Sequence, residues 1–152
     1  MVITLFGKAA IFLPFTPVPI ILQNSMAIFA GVALGGRRGL LTMLFFLLEG
    51  LVGLPVFSKN GGVASLLGPT GGYIWSYALS AYVAGVYFNR ATSNLGRFLA
   101  VLAGHGIILL CGALWLRYIW NFSNVWMLGI LPFIGGDLLK SLMIMFVAKK
   151  NP

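Results

Sequence analysis

Apolar residues in this chain run in stretches of helical length, separated by short clusters of Pro, Gly and basic residues. Six stretches stand out: residues 1–13, 18–35, 39–55, 72–88, 95–116, and a last one that begins at Trp126 or Pro132 and ends at Val147. Within them polar residues do not recur at every second position, as they would along the strands of a membrane barrel. The pattern therefore predicts helices. The first stretch is short for a full crossing. Pro14, Pro17 and Pro19 forbid a continuous helix into the second, and Gly35-Gly36-Arg37-Arg38 marks a tight basic turn. Residues 58–70 form the one long irregular segment, closed by Gly68-Pro69-Thr70-Gly71-Gly72. Long loops in compact proteins are usually functional or disordered, and an apolar centre argues against disorder. The apolar centre of this one, Val63-Ala64-Ser65-Leu66-Leu67, predicts a lid or re-entrant piece held against the helices.

Composition turns this pattern into a fold class. The 152 residues are 60% hydrophobic and 8% charged, with a mean hydropathy of +1.00, against about 25% charged in a soluble domain. A chain of 16.4 kDa has too much surface to hide that excess inside. The expectation is an all-α integral membrane protein, a six-helix transmembrane bundle forming a single domain over residues 1–152. The net charge of +8 does not point to nucleic acid, because the basic residues punctuate apolar spans. Six of them (Arg37, Arg38, Arg90, Arg97, Lys149, Lys150) fall on one side of a six-span topology, and Lys59 and Arg117 on the other. The positive-inside rule then places both termini in the cytoplasm of a plasma-membrane protein and the Gly-rich lid, between spans three and four, outside. The first apolar run leads into Pro14 without a small-residue cleavage site, so no cleavable leader is expected.

Small residues recur every fourth position at Ala27, Gly31 and Gly35, and again at Ser76, Ser80 and Ala84, with Ala81 and Gly85 alongside. Such ridges let helices approach closely in lipid, within the chain or against a partner. Chemistry is thinly supplied. The single Cys111 excludes an intrachain disulfide, no Cys/His cluster has metal-ligand spacing, and no phosphate-binding Gly-x-x-x-x-Gly-Lys-Ser/Thr loop is present. Neither a catalytic set nor a cofactor is expected. His105 stands alone in span five and reads as a packing residue.

The chain has two acidic residues, Glu49 and Asp137, both within apolar spans. A charge at bilayer depth costs about 2.5–3.5 kcal/mol on insertion scales and is retained where it meets a partner, a cavity or a ligand. Asp137 and Lys140, three apart on one helix, share a face and offer an acceptor and a cationic donor to one space. They read as a ligand site, with an internal ion pair as the alternative. Glu49 reads as a ligand contact, a proton site or a partner for Lys8, Lys140 or His105. Gly135 and Gly136 leave room beside the pair. Tyr73, directly after a Gly71-Gly72 hinge, is placed to close on a small ligand, while the remaining aromatics near the same side form an interfacial belt.

Five stretches taken together resemble the BioY family, the biotin-binding S components of energy-coupling-factor vitamin transporters. They are Pro14-Phe15-Thr16-Pro17-Val18-Pro19-Ile20 with Gln23, Leu34-Gly35-Gly36-Arg37-Arg38-Gly39, Gly50-Leu51-Val52-Gly53-Leu54-Pro55-Val56-Phe57, Gly68-Pro69-Thr70-Gly71-Gly72-Tyr73, and Gly136-Asp137-Leu138-Leu139-Lys140. The resemblance implies a six-helix bundle that takes biotin from outside, with a membrane coupling subunit and two ATPase subunits as partners and no cofactor. It also implies that Asp137 and Lys140 bind the vitamin, that Gly71, Gly72 and Tyr73 shape the pocket, and that Asn60 is the candidate for an asparagine of the Gly-rich loop. Span one departs from the family pattern. It is short and interrupted by Lys8, and only Ala9 and Ala10 suggest the small-residue ridge that family members use for docking.

Overall fold

The structure is a computed structural model that describes residues 3–4, 10–11, 14, 18, 20–57 and 62–148. Most of span one, with Lys8, lies outside the described residues, as do Lys59, Asn60, Lys149 and Lys150. Residues 3–4 are helical, but at residues 10–11 the chain departs from the predicted helix. Ala10–Ile11 (β1) pairs antiparallel with Ile20–Ile21 (β2), Ala10 opposite Ile21. The prolines between them deny a helix, and the chain turns at Pro14 to return alongside itself.

The remaining predicted spans each contain a helix. Helix α1 is Gln23–Leu34 and α2 is Gly36–Leu51. Gly35 between them adopts φ 87°, a left-handed conformation that only glycine takes readily, and this lets the two helices reverse in one residue. The lid segment carries a short helix of its own, α3 (Gly62–Leu67). Span four is broken into α4 (Gly71–Trp75) and α5 (Tyr77–Arg90). At the break the Ser76 hydroxyl donates to the Tyr73 carbonyl at 2.7 Å, the local back-bonding that bends helices. Helix α6 runs Asn94–Tyr118, with the Ser93 side chain accepting from the Gly96 N–H. A π-helical turn, Trp126–Ile130, leads into α7, Leu131–Val147. Pro132 lacks an N–H, so the ladder ahead of it shifts, and the Leu131 N–H reaches back to Trp126.

Helix α5 packs against α1, α2 and α6. The small-residue ridges serve this packing within the chain. A Cβ added at Gly31 would meet the Ala81 carbonyl, and one at Gly85 would meet the Gly31 carbonyl. The helices approach at backbone distance, as small residues permit in lipid. Outside that core, large apolar side chains face outward, among them Phe45, Leu110, Leu139, Met143, Phe146 and Val147. Helix α6, and the π-turn continuous with α7, are long and apolar enough to cross a bilayer, with mean hydropathies of 2.1 and 1.8.

The two ends of the bundle differ. At one, the α1–α2 turn lies beside the end of α5, where Gly36 meets Tyr82 and Val86 and Gly35 approaches Asn89. This gathers Arg37, Arg38 and Arg90 at one end, with Arg97 in the first turn of the adjoining α6. At the other, the segment around α3 and α4 sits on the C-terminal part of α6. The Trp115 indole donates to the Gly68 carbonyl at 3.0 Å and the Trp75 indole to Leu66 at 3.2 Å. Gly71 and Gly72 are helical residues packed against Leu66 and Trp115, and neither has a positive φ. They are close-packing positions rather than a free hinge.

Candidate functional site

Three polar residues in a row, Gln23, Asn24 and Ser25, are buried in the first turn of α1. First-turn N–H groups have no partner within their own helix, and here the Asn24 Oδ1 accepts from the Ser25 N–H at 2.8 Å. The turn faces the middle of α6 and α7. There His105 is 1% exposed, Asp137 2% and Ser141 0%.

Asp137 and Lys140 meet as their spacing predicts. Lys140 Nζ lies 3.1 Å from Asp137 Oδ1 and 3.5 Å from the Ile21 carbonyl. The second carboxylate oxygen, Oδ2, is buried and has no hydrogen-bond partner among the described residues. A charged oxygen left unpaired at this depth is costly unless a further partner meets it. The Asp137 carbonyl is also held, accepting from the Ser141 hydroxyl at 2.6 Å.

His105 joins this turn to α1. Its Nδ1 is 2.9 Å from Ser141 Oγ and its Nε2 is 3.2 Å from Ser25 Oγ. The one Ser141 proton is used on the Asp137 carbonyl, so Ser141 Oγ accepts from Nδ1–H. In a neutral ring Nε2 then accepts from the Ser25 hydroxyl. His105 is a structural strut tying α1, α6 and α7 together, in keeping with the packing role read from the sequence.

An interior cavity of about 30 Å³ is bounded by Gln23, Asn24, Tyr73, Tyr77, Ile108 and Phe133 among others. Phe133 is one helical turn before Asp137. The Tyr73 ring forms a wall, tilted against Phe133 at 6.4 Å between centroids. Its hydroxyl donates to the Gly129 carbonyl of the π-turn at 2.8 Å, so Tyr73 presents a face rather than a polar tip. Gly71 and Gly72 bring α4 close to α6 and so position Tyr73. A wider groove of about 320 Å³ between α1 and α7 is bounded mainly by Met26, Phe29, Met143, Ile144 and Val147, with Ser25 and Lys140 at its edge. Its hydrocarbon walls suit lipid and offer little to orient a polar ligand.

Other sequence-predicted positions fall elsewhere. Gly135 and Gly136 are exposed, with nothing within 4 Å of an added Cβ, so the room they leave is on the outer face of α7. Glu49 is exposed on α2. Of the partners considered for it, Lys140 is engaged by Asp137 and His105 by the two serines, while Lys8 lies outside the described residues. Asn60 also lies outside them. Sequence reasoning missed Asn24, Ser25 and Ser141 and quoted Gln23 without giving it a role. The signals were a polar triplet opening an apolar span, and a serine four residues after Asp137 on the same helical face.

The sequence profile of the BioY family matches residues 1–151. The chain is 37% identical over 135 residues to the probable biotin transporter BioY of Pyrococcus horikoshii, covering 88% of this chain and 80% of that one. It is 34% identical over 142 residues to the biotin transporter BioY of Thermotoga maritima, covering 92% and 84%. Its fold superposes on the crystal structure of the S-component for biotin from an ECF-type ABC transporter with a TM-score of 0.88 at 32% identity, covering 97% of this chain and 82% of that one. The helical architecture expected from the apolar pattern is therefore the architecture found, and the outward-facing hydrocarbon surface is that of a membrane protein. The chain belongs to the BioY family.

Proposed function

We propose that this chain captures biotin at the cell surface as the substrate-binding component of an ECF-type uptake system, and that it is not an enzyme. The observation that carries this reading is the buried Asp137–Lys140 pair with one carboxylate oxygen left over, in a family whose named relatives are biotin transporters. Biotin carries two ureido N–H donors, one ureido carbonyl, an apolar bicycle and a carboxylate on an acyl tail. Asp137 Oδ2 accepts from a ureido N–H, and Lys140 donates to the ureido carbonyl or to the tail carboxylate. Tyr73, held by the close packing at Gly71 and Gly72, covers the ring, and Asn60 adds a contact from the lid. A polar site of this kind discriminates strongly, because a ligand lacking the matching group leaves buried atoms unpaired.

A cavity of about 30 Å³ is far below the roughly 300 Å³ at the small end of ligand pockets. Binding therefore requires α3 and α4, with Tyr73, to move away from α6 and α7. In our reading the chain is a single multi-pass domain over residues 1–152, with six crossings and both termini in the cytoplasm. The Arg37, Arg38, Arg90 and Arg97 end faces inward, and the end bearing α3 and α4 faces out. A coupling subunit and two ATPase subunits supply the energy.

Competition against labelled biotin on the purified chain tests the cargo. Unlabelled biotin is expected to displace the label, desthiobiotin to displace it partly, and thiamine and riboflavin not at all. Displacement by thiamine or riboflavin at comparable concentration would assign the site to another vitamin.

A further inference from the structure

The buried first turn of α1 carries a second acceptor unpaired among the described residues. Gln23 is 0% exposed and lines the interior cavity. Its Nε2 donates to the Val56 carbonyl at 3.0 Å and to the Ile3 carbonyl at 3.4 Å. Both partners are acceptors only, so exchanging the amide nitrogen and oxygen would set oxygen against oxygen. The orientation is thus fixed by chemistry, and Oε1 is the atom turned away from both carbonyls. It is buried and has no hydrogen-bond partner among the described residues, the same condition as Asp137 Oδ2. Asn24 Oδ1 accepts from Ser25 N–H and the Tyr73 hydroxyl donates to Gly129.

Resting on the biotin reading above, we infer that Gln23 Oε1 is a ligand-binding acceptor, taking one ureido N–H while Asp137 Oδ2 takes the other. A cyclic urea displays its two donors on opposite sides of its carbonyl. Two acceptors without a partner among the described residues come from two helices, α1 and α7, that pack against each other. The arrangement makes Gln23 a specificity residue for a cyclic urea over a cyclic carbamate or lactam, each of which has only one N–H. It also couples the site to the lid, because the carbonyl that holds the Gln23 amide belongs to Val56, at the stem of the segment leading to α3. Next to it Phe57 is anchored edge-on to Phe46 at 5.3 Å, over a Gly50 that leaves no room for a Cβ.

The test uses biotin and its two ring carbamates, in which one or the other ureido N–H is replaced by oxygen. On the wild-type chain both carbamates are expected to bind more weakly than biotin by about tenfold or more. If only one of them binds more weakly, a single acceptor is at work and the inference falls. In Gln23→Met, biotin and one carbamate are expected to lose affinity, while the carbamate lacking the Gln23-facing N–H loses little. Equal losses on all three ligands would mean that Gln23 only holds Val56 and Ile3, or a water, and would overturn the inference. So would the absence of any loss. Failure of the biotin reading looks different, because the wild-type chain would then bind none of the three.

Discussion

His105 shows how a titratable side chain deep in an apolar helix can be structural. Both ring nitrogens are used, by Ser141 and by Ser25, and the Ser141 hydroxyl continues to the backbone of Asp137. Replacing His105 with Phe removes both ring nitrogens and leaves the buried Ser25 and Ser141 hydroxyls each short of one partner. The expected cost is about 1–3 kcal/mol, read as a lower unfolding temperature in detergent. Gln at the same position is expected to recover part of it, since it can donate to one serine and accept from the other. Lys140→Met is a harsher change. It leaves the Asp137 carboxylate without its cation, and breaking a buried pair from one side costs about 3–5 kcal/mol. An unfolding temperature unchanged in Lys140→Met would show that the Asp137–Lys140 contact carries no weight in the folded protein. The pair was legible in the sequence because three-residue spacing on a helix is a local relation. The Ser25–His105–Ser141 connection was not, because it joins residues far apart in the chain and only packing reveals it.

At the scale of elements, glycine positions with opposite surroundings give the sharpest expectations. An added Cβ at Gly85 meets the backbone of Gly31 and Gly36, and one at Gly72 meets Trp115 and the Cys111 carbonyl. Backbone cannot yield as a flexible side chain does. Gly85→Val is therefore expected to separate α1 from α5 and abolish the folded, monodisperse protein. Gly72→Val is expected to displace α4 and with it Tyr73, weakening ligand binding more than stability. Gly136→Ala meets nothing, and Ala is the better helix former by about 1 kcal/mol, so that variant is expected to be at least as stable as the parent. Size-exclusion profiles and thermal unfolding of the three variants check the series. Gly31 and Gly85 could be read as close-packing residues from the four-residue rhythm of their ridges, whereas Gly35, in the same rhythm, serves the turn. The role of Gly71 and Gly72 could not, because a Gly-Gly pair reads equally as a hinge. What distinguishes the two is Trp115, 43 residues further on in the sequence. The break at Ser76 and the π-turn before Pro132 were likewise hidden inside spans that hydropathy alone reads as uniform.

The whole molecule has two chemically different ends. One gathers Arg37, Arg38, Arg90 and Arg97, and the other carries α3, α4 and the π-turn. Thr92 and Asn124 are exposed at the two ends. In a Cys111→Ala background, Asn124→Cys is expected to react with an impermeant thiol reagent added to intact cells, and Thr92→Cys only after the membrane is opened. The reverse labelling would invert the topology and put the capture site inside. The central claim is that Asp137, with one oxygen unpaired among the described residues, is the ligand's anchor in this bundle. Equilibrium binding of labelled biotin to the purified, detergent-solubilised chain, wild type beside Asp137→Ala, tests it most directly. Saturable binding by the wild type, lost in a variant that still runs as a folded species, is the expected result. Undiminished binding by Asp137→Ala would contradict the account.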